Sequence, residues 1–300
     1  MEKIFDYIII TVRNQYQKKI IKDKIKQRQK ILPEKTKIKI IIETKKIGSG
    51  GALLEIIQQI KTENKKILLI NSAGECKRMK LYAQKGKICI PTFNKPESIV
   101  FDEIIEETKE IGQKINTGIL VVSGDCTTIY TEIKSDHITN NTAISVLAPA
   151  NIGEKHGVFV TENGLLKKTL QKEKIERLEK EKAVNADGQV KIDTGIIYYN
   201  EETINKLRKI EFNCDCIVNL YTDLMYPFSI ETQEDEYLNS KTEGQLTQEL
   251  IKLRKDIWDK IHNCTMNIEE IKNGKFIHYG TIEEFLDIKL KKQKRKNIKQ

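Results

Sequence analysis

The sequence predicts one doubly wound α/β domain, and three observations carry that expectation. Short unbroken apolar runs recur at residues 8–10, 67–70 and 119–122, each the length of a strand buried on both faces of a sheet. Segments with helical apolar spacing alternate with these runs, the pattern of β-α-β units. No internal repeat and no Pro/Gly/Ser-rich linker divides the 300 residues, a length ample for a single core.

Taken in order, residues 6–11 read as the first strand, and Asn14 as the cap of a helix that stops before Pro33. Residues 38–42 form the second strand. Ile47-Gly48-Ser49-Gly50-Gly51-Ala52 then opens a helix. Exposed N–H groups at a helix start attract anions, which makes Gly48, Ser49, Gly50 and Gly51 candidate anion contacts. A plain flexible turn is the alternative, since the segment is neither a Walker loop nor the dinucleotide G-x-G-x-x-G. The strand at 67–70 is the one around which the chain is read. It breaks at Asn71 into Ser72, Ala73 and Gly74, small residues that let backbone N–H groups approach an anion. Arg78 and Lys87 follow as cations able to balance its charge, an ordinary turn in a Lys-rich chain being the alternative.

Residues 101–115 have the spacing of an amphipathic helix, with Ile104, Ile105 and Ile111 on its apolar side. The strand at 118–122 runs into Ser123-Gly124-Asp125, and an acid at the carboxyl end of a sheet strand is placed to hold Mg²⁺ against phosphates. A capping aspartate is the bland reading. Strands at 143–147 and 157–161 flank His156, and residues 166–182 read as a charge-laced helix. Residues 190–199 form a strand containing Asp193-Thr194-Gly195. A mixed stretch with Tyr221-Thr222-Asp223 follows, then a helix at 248–262 whose Trp258 is expected in the core.

Composition limits the partners. The net charge is +9, but residues 289–300 hold seven Lys/Arg and no acid, leaving +2 for the rest. The basic character therefore belongs to a tail, expected to be disordered and solubilising, and nucleic acid is not expected as a partner. No apolar run approaches the roughly 20 residues of a membrane helix, and the acidic start is unlike a secretory signal. A soluble, cytoplasmic chain without membrane contact is expected. The six cysteines are scattered, with only Cys214 and Cys216 close together, so reduced structural thiols are expected.

These pieces, in this order, resemble one family: the GDP-fucose pyrophosphorylases, or fucose-1-phosphate guanylyltransferases, which also form the amino-terminal domain of bifunctional fucokinase/GDP-fucose pyrophosphorylases. The shared motifs span about residues 5–288. Besides those named, they include His156-Gly157-Val158-Phe159-Val160, Leu170-Gln171-Lys172, and His278-Tyr279-Gly280-Thr281 with Glu284. The resemblance implies a glycosyltransferase-A-like, Rossmann-like nucleotidyltransferase domain at 1–288, with a mixed, mainly parallel sheet. The reaction implied joins GTP and L-fucose 1-phosphate into GDP-L-fucose and pyrophosphate, with Mg²⁺ as cofactor. Ser72, Ala73 and Gly74 would cradle the nucleotide phosphates, with Gly48 to Gly51 nearby. Arg78 would stabilise the leaving pyrophosphate beside Lys87. Lys172 would grip the sugar phosphate, and His156 and Gly157 would border the substrate pocket. Asp125 would bind the metal, with Asp223 preferred over Asp193 as the second carboxylate. Two departures stand out: Ala73 replaces a glycine, tolerable only at negative φ, and Glu173 stands where a proline is usual. Neither a β-helical tail nor a kinase half follows, so a free-standing or truncated catalytic domain is expected. The alternatives are a nucleotidyltransferase for another sugar 1-phosphate, or a degenerate nucleotide-sugar-binding protein without catalysis.

Overall fold

Side chains along a strand point alternately to opposite faces of its sheet, and here both faces are buried. In β1 (Tyr7–Val12), Ile8, Ile10 and Val12 join one apolar cluster and Ile9 joins another. β3 (Lys66–Asn71) and β4 (Gly118–Ser123) divide in the same way: Leu68, Ile70, Leu120 and Val122 on one side, Ile67, Leu69, Ile119 and Val121 on the other. The structure, a computed structural model, describes residues 3–74, 79–92, 95, 97–213, 215–242, 244–271 and 273–297.

The other strands are β2 (Lys37–Ile42), β5 (Cys126–Ile129), β6 (Asn141–Pro149), β7 (Gly157–Glu162), β8 (Leu165–Gln171), β9 (Gln189–Asn200), β10 (Met266–Ile271) and β11 (Lys275–His278). Nine of them form one sheet in the order β2-β1-β3-β4-β9-β6-β10-β8-β7, while β5 and β11 pair as a separate antiparallel ribbon. The sheet is mixed, as expected, but it is not mainly parallel. β2, β1, β3 and β4 run parallel, as do β6 and β10. The twelve-residue β9 lies antiparallel to β4, β6 and β7, and β8 lies antiparallel to β7 and β10.

A second correction concerns residues 166–182. The first part is strand β8, with Leu166 and Leu170 buried, and only Ile175–Lys180 is helical. The cause is the Asn163-Gly164 turn, whose residues sit at φ 51° and 80° and fold β8 back on β7. The basic tail expected from residue 289 is helical as far as Asn297, in a helix that starts at Ile282. Asn14 caps helix Gln15–Lys26 as expected, accepting from Gln17 N at 2.9 Å. Such a cap is worth about 1 kcal/mol. Trp258 is 9% exposed and stacks on Tyr237 and His262. Cys89, Cys126 and Cys264 are free thiols, whereas Cys216 is disulfide-bonded, contrary to the reduced state expected. Among the described residues, no helix is long and apolar enough to cross a membrane.

Candidate active site

Four parallel strands ending on the same edge bring their following residues together. The ends of β1, β2, β3 and β4 supply Arg13, Glu43, Asn71 and Ser123 to one cavity of about 680 Å³. The carboxyl edge of parallel strands is where α/β proteins bind ligands, and this volume suits a drug-sized or nucleotide-sized molecule. Ala73 and Gly74 line it after β3, and Gly48 and Ser49 line it at the start of helix Gly48–Gln59. Ile217, Asn219, Leu220 and Tyr221 close the remaining side. Among the described residues, Arg13, Lys45, Lys46 and Lys87 face the cavity against a single carboxylate, Glu43, so their field favours an anion.

Sterics and hydrogen bonds fix the loop at 72–74. Ser72 N donates to Thr11 Oγ1 at 3.1 Å, and Gly124 N donates to the Asn71 carbonyl at 2.9 Å. A Cβ on Gly124 would stand 2.7 Å from that carbonyl oxygen, so only glycine allows β4 to turn this close. A Cβ on Gly74 would meet Lys87 Cε at 3.0 Å, so this glycine gives the lysine its path. Ala73 is absent from the positive-φ residues, which accommodates its methyl group. Asn71 Oδ1 and Ser72 Oγ are buried without a hydrogen-bond partner among the described residues.

Asp125 lies directly behind the cavity wall. Its carboxylate takes Lys87 Nζ at 2.6 Å and Ser123 Oγ at 2.7 Å, and both of those residues line the cavity. Burial pushes the Asp125 carboxyl up, but the Lys87 ammonium and His278 more than offset it and hold it at about 2. Tyr279 N donates to the Asp125 carbonyl at 2.8 Å, which pins the end of β11 here. Asp125, Cys126 and His278 bring one ligand atom each to within 4.8 Å of one another. His278 Nδ1 also lies 3.0 Å from Glu284, which caps the following helix by accepting from Thr281 N.

The sugar-side candidates lie beyond this cluster and do not line the cavity. The His156 ring stands edge-on to His278, 6.1 Å between centroids, and burial lowers its pKa. Its carbonyl accepts from Lys172 N at 3.1 Å. Lys172 is exposed, at φ 53°, a conformation uncommon for a side-chain-bearing residue. Gly157 packs close to Asp193. Asp193 is buried, accepts from Gly195 N at 2.8 Å and is pushed by burial to about 7.

Two expectations are corrected. The Gly50 and Gly51 N–H groups donate to the Val218 carbonyl at 2.9 and 3.3 Å, so they brace the cavity wall instead of facing a phosphate. Asp223 is no metal ligand: its side chain is 0% exposed and is paired at 2.7 Å with Arg254, likewise 0% exposed. Its second oxygen accepts from Asn219 N at 2.5 Å. Asp193 is nearer the cluster, since the buried Tyr221 hydroxyl feels both it and Asp125. Arg78 lies outside the described residues. Arg13, Glu43, Asn219 and Tyr221 went unnoticed as site residues; for Glu43 the signal was present, an acid at the end of a strand, as at Asp125.

The donors test the fit of a divalent metal. Mg²⁺ takes oxygen ligands and is usually held by one or two carboxylates with water and substrate phosphates. Of the Asp125, Cys126 and His278 group, only Asp125 offers such an oxygen, so the residues fit Mg²⁺ through that carboxylate with a phosphate ligand completing the shell.

Fold and site together define an α/β protein with a cationic cleft at the carboxyl edge of its parallel strands, backed by a carboxylate–lysine pair. Comparison with known proteins makes the class particular. Residues 59–299 match the profile of the fucose pyrophosphorylase domain, and the chain belongs to that family. It is 23% identical over 335 residues to fucose-1-phosphate guanylyltransferase of Mus musculus, covering 95% of this chain and 56% of that protein. With the bifunctional fucokinase/GDP-fucose pyrophosphorylase of Arabidopsis thaliana it shares 24% identity over 254 residues, covering 74% of this chain and 23% of that one. The chain thus spans about half the length of the mammalian relative. Among solved structures, HddC from Yersinia pseudotuberculosis aligns with a TM-score of 0.44 at 12% identity, covering 95% of this chain and 78% of that one.

Proposed function

We propose that this chain is a sugar-1-phosphate nucleotidyltransferase of glycosyltransferase-A-like fold, joining GTP and L-fucose 1-phosphate into GDP-L-fucose and pyrophosphate in the cytoplasm. The observation that carries the reading is the Lys87–Asp125 pair. It links a cationic, nucleotide-sized cavity to a second cluster containing His278 and His156, within a chain of the fucose pyrophosphorylase family.

In this reading the nucleotide lies along the ends of β1–β4, its phosphates toward Gly74, Lys87 and Arg13. An oxygen of the sugar phosphate forms a bond to the α-phosphorus. The bond from that phosphorus to the bridging oxygen breaks, and pyrophosphate leaves with the electron pair. No covalent enzyme intermediate and no proton transfer is required, so positioning and charge neutralisation carry the catalysis. Lys87 would exchange Asp125 for a phosphate oxygen. Arg78 would stabilise the departing pyrophosphate, and Lys172 with His156 and Gly157 would hold the sugar phosphate. Mg²⁺ bound by Asp125, with Asp193 nearby, would supply further neutralisation across the phosphates. Residues 1–288 would form the catalytic domain, with the basic segment after it dispensable.

Pyrophosphate release, measured with four nucleoside triphosphates against a panel of sugar 1-phosphates, tests the proposal. The highest signal is expected with GTP and L-fucose 1-phosphate. Nucleotide binding without turnover on any sugar phosphate would make the chain a binding protein instead.

A further inference from the structure

We propose that Glu43 selects guanine in this cavity, its carboxylate accepting from the two N–H groups on the Watson–Crick edge of the base. The inference rests on reading the cavity as a nucleotide site. Glu43 is the only carboxylate among the described residues that line it, and the other charged lining groups are all cations. An acid on the same wall repels phosphate, so it must face a part of the ligand that offers donors.

Its placement is fixed by the sheet. Glu43 directly follows β2, and its N–H donates to the Val12 carbonyl at 2.9 Å, extending the pairing with β1. The Thr11 hydroxyl engages the carboxylate, and Thr11 Oγ1 accepts from Ser72 N at 3.1 Å. The acid is thereby tied to the loop that borders the phosphate end. Burial pushes its carboxyl up to about 7, so the group is already largely withdrawn from water. A ligand supplying donors would add to the hydrogen bond that it takes from Thr11.

A nucleotide has two donor-bearing parts, the base and the ribose diol. The guanine N1–H and its exocyclic amino group donate side by side, and one carboxylate can accept both. Adenine offers an acceptor at N1, which a carboxylate oxygen would repel. Ile217 and Leu220 line the same cavity and offer apolar contact to a flat ring, for which a ribose has less use.

Isothermal titration of wild type, Glu43→Gln and Glu43→Ala with GTP, ITP, ATP and 2′-deoxy-GTP tests the idea without turnover. ITP lacks the exocyclic amino group, and 2′-deoxy-GTP lacks one ribose hydroxyl. Wild type is expected to prefer GTP to ITP and ATP. Glu43→Ala should lose roughly 10–100-fold in GTP affinity, the range for hydrogen bonds to a charged group, and bring GTP and ITP within a few-fold of each other. Thermal unfolding of each variant checks that it is folded, and Glu43→Gln, nearly isosteric, guards against a packing effect. A GTP-over-ITP preference that survives in Glu43→Ala would overturn the inference. So would a wild type that discriminates against 2′-deoxy-GTP as strongly as the variant loses GTP, which would assign Glu43 to the ribose. A wild type that binds GTP and ATP equally overturns this inference alone, whereas one that binds no nucleotide overturns the proposed function as well.

Discussion

Two acids of this chain, Asp125 and Glu43, lie just beyond strand ends, and their surroundings give them different work. Asp125 is held near a pKa of about 2 by Lys87 and His278 despite its burial, so it is a carboxylate at any working pH. Asp125→Asn removes the oxygen charge that would face a metal while keeping the shape. We expect it to fold and to lose Mg²⁺-dependent turnover; activity within a few-fold of wild type would dismiss Asp125 as the ligand. Glu43 is the opposite case, raised to about 7 by burial, with the neighbouring Glu55 adding to the shift. Because its folded pKa lies above the unfolded value near 4.5, the folded state holds this proton over a window where the unfolded chain has lost it. Stability therefore falls as pH rises from about 4.5 to 7 and stays lowered above that. Glu43→Gln should stabilise the protein at pH 8 by about 1–3 kcal/mol and by nothing below pH 4, as thermal melts across pH will report. Asp125 was legible in the sequence because Ser-Gly-Asp closes an apolar run. At Glu43 the same signal, an acid closing a strand, was outweighed because Thr44-Lys45-Lys46 after it has the composition of a solvated charged turn.

At the level of elements, the cavity's far wall rests on a buried ion pair. Residues Leu220–Met225 form a π-helical turn, a form that is rare and frequently found at functional sites. Asp223 holds that turn by accepting from Asn219 N, and Arg254, from helix Gln248–Ile261, neutralises it. Arg254 also donates to the carbonyls of Tyr237, Leu238 and Ser240. Asp223→Ala leaves the arginine charge buried without its carboxylate and should cost about 3–5 kcal/mol, seen as a lower urea midpoint at unchanged slope. Replacing both partners, as Asp223→Leu with Arg254→Met, should recover most of that loss. A small effect of the single change would show that the pair does not support the wall. The partner stands 31 residues away, beyond what local pattern shows, so the sequence left Asp223 available as a metal ligand. The strands of the first half were legible because buried parallel strands are continuous apolar runs. β8 was missed although Asn163-Gly164 is a strong hairpin signal, since the lysines and glutamates after it mimic a solvated helix. β10 was missed because Asn267, Glu269 and Glu270 interrupt its apolar residues, and its place between β6 and β8 is set by pairings distant in sequence.

Across the whole molecule, the sheet divides the proposed reaction between its halves. The parallel half, β1 to β4, carries the cavity, and the mixed half carries His156, Lys172 and Asp193; Lys87 and Asp125 join them. The order of motifs along the chain made this division readable from the sequence, but the contact between the halves was not, because it depends on β11 returning to Asp125 after 150 residues. If the division is functional, cations on the two sides must fail in different ways. Lys172 is exposed and lies off the cavity wall, so Lys172→Ala should raise KM for the sugar phosphate while GTP binding is nearly unchanged. Arg78 follows the 72–74 loop in sequence, and the proposed reaction assigns it to the charge that builds as pyrophosphate departs. A group used chiefly in the transition state affects kcat more than ground-state binding. Arg78→Ala should therefore cut turnover by roughly 10²–10³-fold, the size of losing one preorganised charge stabiliser, with a far smaller change in GTP affinity. Steady-state kinetics and titration with GTP on both variants measure the two effects separately. If Lys172→Ala weakens GTP binding as much as it weakens saturation by the sugar phosphate, the division between the halves is wrong, and both substrates share one undivided pocket.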